Sequence, residues 1–163
     1  MQGDVAFADV LRLAGAVVTR APDGVHIEGR SLRGVDVDMH HISDTVMTLA
    51  AIAPLATGPT TIRNVANIRI KETDRLAATV IELRRLGQHV THGDDWLCID
   101  PRPITPATVC CYSDHRMAMS FAVLGALVPG ISIEDPACVA KTYPGFWDDL
   151  GRCYDAQGSM RSW

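Results

Sequence analysis

Apolar residues at Val5, Phe7, Ala8, Val10, Leu11 and Ala14 fall close to one face of a helix, and Gly15 follows as a stop. Beyond it, Ala16-Val17-Val18-Thr19 and Val25-His26-Ile27-Glu28 read as two strands of a hairpin, with Pro22-Asp23-Gly24 as the turn signal. The same phrase returns later. Leu76, Val80, Leu83 and Leu86 keep helical spacing, Gly87 ends the run, and Gln88-His89-Val90-Thr91 and Trp96-Leu97-Cys98-Ile99 flank the turn Gly93-Asp94-Asp95. Gly15 and Val18-Thr19 fall on Gly87 and Val90-Thr91 at a shift of 72 residues.

A second repeat covers the intervening chain. Ser43-Asp44, Met47, an apolar helix, the break from Pro54 to Gly58, a strand around Ile62 and then Lys71 can be laid over Ser113-Asp114, Met117, an apolar helix, Pro129-Gly130, Ile131-Ser132-Ile133 and Lys141. Asp44 to Lys71 and Asp114 to Lys141 are both 27 residues. Two alignments at nearly one period indicate a duplicated unit of about 70 residues, ordered strand, helix, strand, helix, strand, strand. The middle copy is whole, the first survives as its last helix and two strands, and the third stops after its second helix near Gly151. The expectation is an α/β domain of repeated units over 1–152, incomplete as it stands, with helices buried against sheets that line the outside. It would be cut from something larger, or would borrow segments to close its core. Residues 153–163 lack periodicity and read as a disordered tail.

The most charged stretch is Asn67-Ile68-Arg69-Ile70-Lys71-Glu72-Thr73-Asp74-Arg75, between the strand at Ile62 and the helix of Leu76. Its plain reading is a capped, solvated helix start. The repeat adds another, because equivalent turns of a pseudo-symmetric array converge on one end. Lys71 and Lys141 would then share a space with Asp44 and the Asp114-His115-Arg116 cluster. Helix N-termini and clustered cations suit an anion, arginine forks match phosphate and carboxylate oxygens, and lysine adds a mobile charge. A carboxylate among these cations can move protons if burial offsets the fall in its pKa.

Composition narrows the field. A net charge of −4 and the lack of a basic stripe argue against nucleic acid, and no apolar run reaches the 18 to 20 or so residues of a membrane span. Five cysteines without a CxxC pair read as small buried residues in a reducing, cytoplasmic setting. The histidine pairs 40/41 and 89/92 lack a matching second cluster and read as surface positions, not a metal site. The methionines at 39, 47, 117 and 119 read as core, and Phe146-Trp147 as a helix anchor.

The strings Asp38-Met39-His40-His41-Ile42-Ser43-Asp44, Asn67 to Arg75, Ser113-Asp114-His115-Arg116-Met117-Ala118-Met119 and Ala140-Lys141-Thr142 resemble the carboxy-terminal part of the 5-enolpyruvylshikimate-3-phosphate synthase family, from about Gln2 to Arg152. The resemblance implies an enolpyruvyl transferase-like, inside-out α/β barrel. It implies transfer of the enolpyruvyl group of phosphoenolpyruvate to the 5-hydroxyl of shikimate 3-phosphate, with release of phosphate and without metal or organic cofactor. Asp44 resembles the residue that takes the proton of the attacking hydroxyl, and Glu72 the carboxyl that works with a lysine at the phosphoenolpyruvate methylene. Arg75, Arg116 and Lys141 resemble the phosphoenolpyruvate-binding cations, Asn67 and Lys71 shikimate-phosphate contacts, and His115 a site histidine.

Ile68 stands where the family often has tryptophan and Ser43 where it often has proline. The larger departure is length, since the family has two domains of three units each and binds substrates between them. The resemblance therefore implies a chain that needs a complementary amino-terminal half, or self-association through open edges, and has little activity alone. Two other readings stand beside it: the sister enzyme acting on UDP-N-acetylglucosamine, and a non-catalytic binding or assembly half.

Overall fold

The computed structural model describes residues 3–156. Its middle third is one complete unit: β3 (Asp36–Asp38), α2 (Val46–Ile52), β4 (Thr60–Arg63), α3 (Arg75–Arg85), β5 (His89–His92) and β6 (Leu97–Asp100). Before it stand α1 (Phe7–Leu13) and the hairpin β1 (Val17–Ala21) and β2 (Gly24–Glu28). After it come β7 (Thr108–Val109), α4 (His115–Leu127), β8 (Ser132–Ile133) and α5 (Phe146–Ala156). The middle stretch runs strand, helix, strand, helix, strand, strand, a helix and hairpin precede it, and strand, helix, strand, helix follow it.

Register repeats as well as order. Val18 faces Ile27 in the first hairpin, and Val90 faces Ile99 in the second. Each hairpin follows a helix closed by a left-handed glycine, Gly15 at φ +112° and Gly87 at +82°. The N–H of Gly15 donates to the carbonyl of Arg12 and that of Ala16 to Leu11. Gly87 and Gln88 donate to Arg84 and Leu83 in the same way. This cap satisfies the last carbonyls of a helix and wants a residue without Cβ.

The sheet of the complete unit runs β3-β4-β6-β5, with β3 parallel to β4 and the other pairs antiparallel. Alternation sets its inner face: Val37, Ile62, Val90, Leu97 and Ile99 are buried while Asp36, Asp38 and Arg63 are exposed. Against that face lie Met47, Leu49 and Ala50 of α2 and Leu76, Val80 and Leu83 of α3, in one core with Phe121 and Leu124 of α4. Each such large aliphatic side chain contributes about 1.5–3 kcal/mol by leaving water. α2 packs on both α3 and α4, so the helices sit inside and the sheets outside. Met39, Met47 and Met117 are core, and Phe146 and Trp147 pack α5 beside Cys111, Ala118 and Val139.

Three expectations need correction. Short 3-10 turns at His40–Thr45, Ala53–Leu55, Ala66–Ile70 and Pro136–Lys141 replace what reads as bare connection, and a fifth at Gly3–Ala6 replaces the expected first turn of the helix from Val5. Of the cysteines only Cys111 is buried, while Cys98, Cys110 and Cys138 are half-buried and Cys153 is exposed, because their positions follow strand and loop registers and not an apolar stripe. Residues 153–156 extend α5, whose first turn opens with Asp148 and Asp149 against the helix dipole; the rest of the expected tail lies outside the described residues. No helix among the described residues is long and apolar enough to cross a membrane.

Candidate functional site

The charged stretch divides into a structural half and a chemical half. Arg69 donates to the carbonyls of Gly93 and Asp94 and to Asp74, tying the 3-10 turn to the β5–β6 hairpin. Asp74 is the N-cap of α3 and accepts from the N–H of Ala77 at 2.9 Å, a cap worth about 1 kcal/mol. Asp114 caps α4 in the same manner, through the N–H of Arg116 at 2.8 Å. Both helix starts are thus taken up by their own carboxylates. Each cap occupies one of the free N–H groups of its helix start, and the side chains of Arg75, Arg116 and Lys141 add positive charge to the site.

Arg75 is its centre. The residue is 2% exposed, and its guanidinium donates from Nε to Asp114 Oδ2 at 2.7 Å, from Nη2 to Glu72 Oε2 at 2.7 Å and from Nη1 to Asp44 Oδ1 at 3.1 Å. Arg116 reaches the other oxygen of Asp44 from Nη2 at 2.8 Å. Lys141 lies 3.5 Å from Glu72 Oε1, and His115 Nδ1 is 4.0 Å from the same oxygen. Four elements deliver these groups. The 3-10 turn before α2 brings Asp44, α3 and the bend before it bring Arg75 and Glu72, the start of α4 brings Asp114, His115 and Arg116, and the last 3-10 turn brings Lys141. A hydrogen bond between Thr48 Oγ1 and Ser120 Oγ, 3.1 Å apart, joins α2 to α4 just behind Asp44 and Arg116.

The expected residues do not all enter this network. Asn67 is adjacent to it, its Nδ2 donating to Ser43 Oγ at 2.9 Å while its Oδ1 is buried without a partner. Lys71 is exposed and forms no ion pair among the described residues, so Lys141 alone of the two lysines joins the cluster. Asp114 has a larger part than its sequence string suggests, as a buried acceptor for Arg75. Its equivalence to Asp44 in the repeat is the signal that points to it, since both carboxylates grip the same guanidinium.

Protonation follows from these contacts. Glu72 is held below the ordinary carboxylate range, first by a hydrogen bond from its own backbone N–H and then by Arg75, Lys141 and His115, against the opposing effect of burial. Burial therefore does not offset the cations, and without ligand Glu72 is a carboxylate able to accept a proton. Burial pushes the His115 imidazole below its usual value, with Arg116 adding to the fall and Asp114 opposing it. Its Nδ1 has no hydrogen-bond partner. Arg116 and Lys141, with side chains 30% and 54% exposed, are the cations open to an incoming anion.

Comparison with known proteins identifies the family of the chain. The family model described as EPSP synthase (3-phosphoshikimate 1-carboxyvinyltransferase) matches residues 1–150. The chain is 54% identical over 147 residues to the 3-phosphoshikimate 1-carboxyvinyltransferase of Nostoc punctiforme, covering 90% of this chain and 34% of that protein. It is 46% identical over 153 residues to the enzyme of the same name from Yersinia pestis, covering 93% and 36%. Among solved structures, EPSP synthase from Acinetobacter baumannii superposes with a TM-score of 0.76 at 25% identity, over 88% of this chain and 37% of that one. The enolpyruvyl transferase NikO from Streptomyces tendae superposes with a TM-score of 0.70 at 25% identity, over 91% and 34%. The chain thus spans about a third of the length of the relatives it matches, and the enolpyruvyl transferase-like α/β fold implied by the resemblance is the fold of these neighbours. With residues 1–150 matched by the family model and more than half of its residues identical to those of a named relative over 147 positions, the chain belongs to the EPSP synthase family of transferases.

Proposed function

We propose that this chain supplies one wall of an active site that transfers the enolpyruvyl group of phosphoenolpyruvate to the 5-hydroxyl of shikimate 3-phosphate, with release of phosphate. The observation that carries the reading is the sharing of Asp44 between Arg75 and Arg116, next to Glu72 and Lys141. Arg116 and Lys141 meet the carboxylate and phosphate of the donor. Asp44, freed from its cations as they turn to the donor, accepts the proton of the attacking hydroxyl. The methylene gains a proton in the addition and loses one in the elimination, when phosphate departs, and Glu72 is the group placed to exchange it. A donor that draws Lys141 and Arg75 away from Glu72 removes the charges that hold its pKa down, so the proton affinity of Glu72 rises once substrate is bound. Clustered cations stabilise charge as the reacting carbons change geometry. Asn67 and Lys71 contact the shikimate phosphate side, and His115 lines the site beside Glu72. The remainder of the cleft belongs to sequence that the relatives have and this chain does not span, so turnover requires that complement.

Ligand-dependent melting tests the reading. Shikimate 3-phosphate with phosphoenolpyruvate should raise the melting temperature, and a ligand at a hundred times its Kd stabilises by about 2.7 kcal/mol. UDP-N-acetylglucosamine should leave it unchanged. A rise with the sugar nucleotide alone would overturn the assignment.

A further inference from the structure

Immediately before Asp114, two consecutive residues that are not glycine hold left-handed backbone: Tyr112 and Ser113, each at φ 54°. The Asp114 N–H donates to the carbonyl of Cys111 at 2.9 Å and closes the turn around them. Glycine, asparagine and aspartate take such paired positions readily; tyrosine and serine do not. A turn of this composition persists only where its surroundings over-determine it. The middle unit has no counterpart, for among the described residues the other non-glycine position of positive φ is Asn64.

The surroundings are supplied by Glu82, fully buried on α3 two helical turns beyond Arg75. Its carboxylate accepts from the Tyr112 hydroxyl at 2.7 Å, from the N–H of Cys110 at 3.1 Å and from Arg85 Nε at 2.9 Å. It therefore grips the chain just before the turn and inside it. Burial and the facing carboxylate push the Tyr112 phenol up to about 12, so it stays a donor at any ordinary pH. On its far side the turn delivers Asp114 to Arg75 and Arg116 to Asp44.

We propose that Glu82 and Tyr112 are positioning residues. The buried carboxylate clamps the left-handed turn from Cys111 to Asp114, and through that turn it sets Asp114 on Arg75 and Arg116 on Asp44. The geometric part stands on its own; the effect on phosphoenolpyruvate binding rests on the function proposed above.

The test follows exchange of the Arg75 Nε–H with water, by NMR on the whole chain, alongside the amides of the β5–β6 hairpin as an internal reference. Tyr112→Phe removes only the hydroxyl. It should speed exchange at Arg75 by about tenfold, the scale of one hydrogen bond to a charged group, and leave the hairpin amides unchanged. Adding Ser113→Gly, which takes the left-handed position without help, should restore slow exchange. Phosphoenolpyruvate titrated into the same samples should bind more weakly to Tyr112→Phe by a similar factor and recover in the double variant. Unchanged exchange at Arg75 would overturn the clamp, and so would equal loss of protection in the hairpin, the mark of a general stabiliser. If Arg75 responds as described while phosphoenolpyruvate binds no sample, including the unsubstituted chain, the clamp is supported and the proposed function of the isolated chain fails.

Discussion

Arg75 shows how a surface motif becomes a buried one. A guanidinium 2% exposed is tolerated because three carboxylates take its donors, one of them, Asp114, fully buried. Removing that charge leaves the buried cation without its one fully buried partner, on Asp44 and Glu72 alone. Asp114→Asn should cost about 3 kcal/mol in urea unfolding, whereas loss of an exposed pair such as Arg63 with Asp36 should be barely measurable. Equal effects would show that burial is not what makes the Arg75 cluster matter. Acid supplies a second check. The folded-state pKa of Glu72 lies below its ordinary 4.5, so its contribution is complete above that value and is lost as pH falls through the depressed folded pKa. The stability gap between the unsubstituted chain and Glu72→Gln should therefore be open at neutral pH and close at strongly acid pH. His115, depressed chiefly by burial, acts with the same sign from its ordinary 6.5 downwards. A gap that widened in acid would contradict the Glu72 direction. At this scale the chain names Asp44, Glu72, Arg75, Arg116 and Lys141 plainly through their strings. It does not show that Arg75 lies beneath the others, because depth depends on α2 and α4 meeting over it.

Helices and hairpins were readable wherever period and punctuation agreed. The run Leu76, Val80, Leu83 ends at Gly87, and the cap there is that of Gly15, repeated to the hydrogen bond. Gly87→Ala should cost about 1 kcal/mol for the positive φ. Gly15→Ala should cost more, since its added Cβ would stand 2.8 Å from the carbonyl oxygen of Ser31, against 3.0 Å from the Thr105 hydroxyl at Gly87. Thermal unfolding ranks the two, and the reverse order would mean that the first partial unit adds little to cooperative stability. The 3-10 turns stayed invisible in the sequence because a single turn has no period to display. That is why Lys71, Glu72 and Thr73, expected near a helical first turn, hang in a bend between a 3-10 turn and α3. Their freedom from helix geometry lets Glu72 fold back on Arg75.

The whole molecule is one closed unit between two open ones. Among the described residues, β4 lies between β3 and β6, while its counterpart β8 pairs with β7 alone; β6 pairs with both β4 and β5, while its counterpart β2 pairs with β1 alone. Unpaired strand edges seek partners, and Val17, Val25 and Ile27 around β2 are exposed. The isolated chain should therefore associate with rising concentration in sedimentation experiments, and addition of the complementary part of a relative should suppress this while slowing amide exchange in β2 and β8. Association unaffected by the complement would place the contact elsewhere. The repeat was legible in the sequence because Asp44 to Lys71 and Asp114 to Lys141 keep one spacing of 27 residues.

The central claim is tested most directly by a phosphate-release assay with shikimate 3-phosphate and phosphoenolpyruvate. It is run on this chain alone and on this chain mixed with the complementary portion of the Nostoc punctiforme enzyme. The account predicts turnover in the mixture alone, abolished by Arg116→Ala without loss of folding. No turnover in the mixture, with the two parts folded and associated, or turnover unchanged by Arg116→Ala, would contradict it.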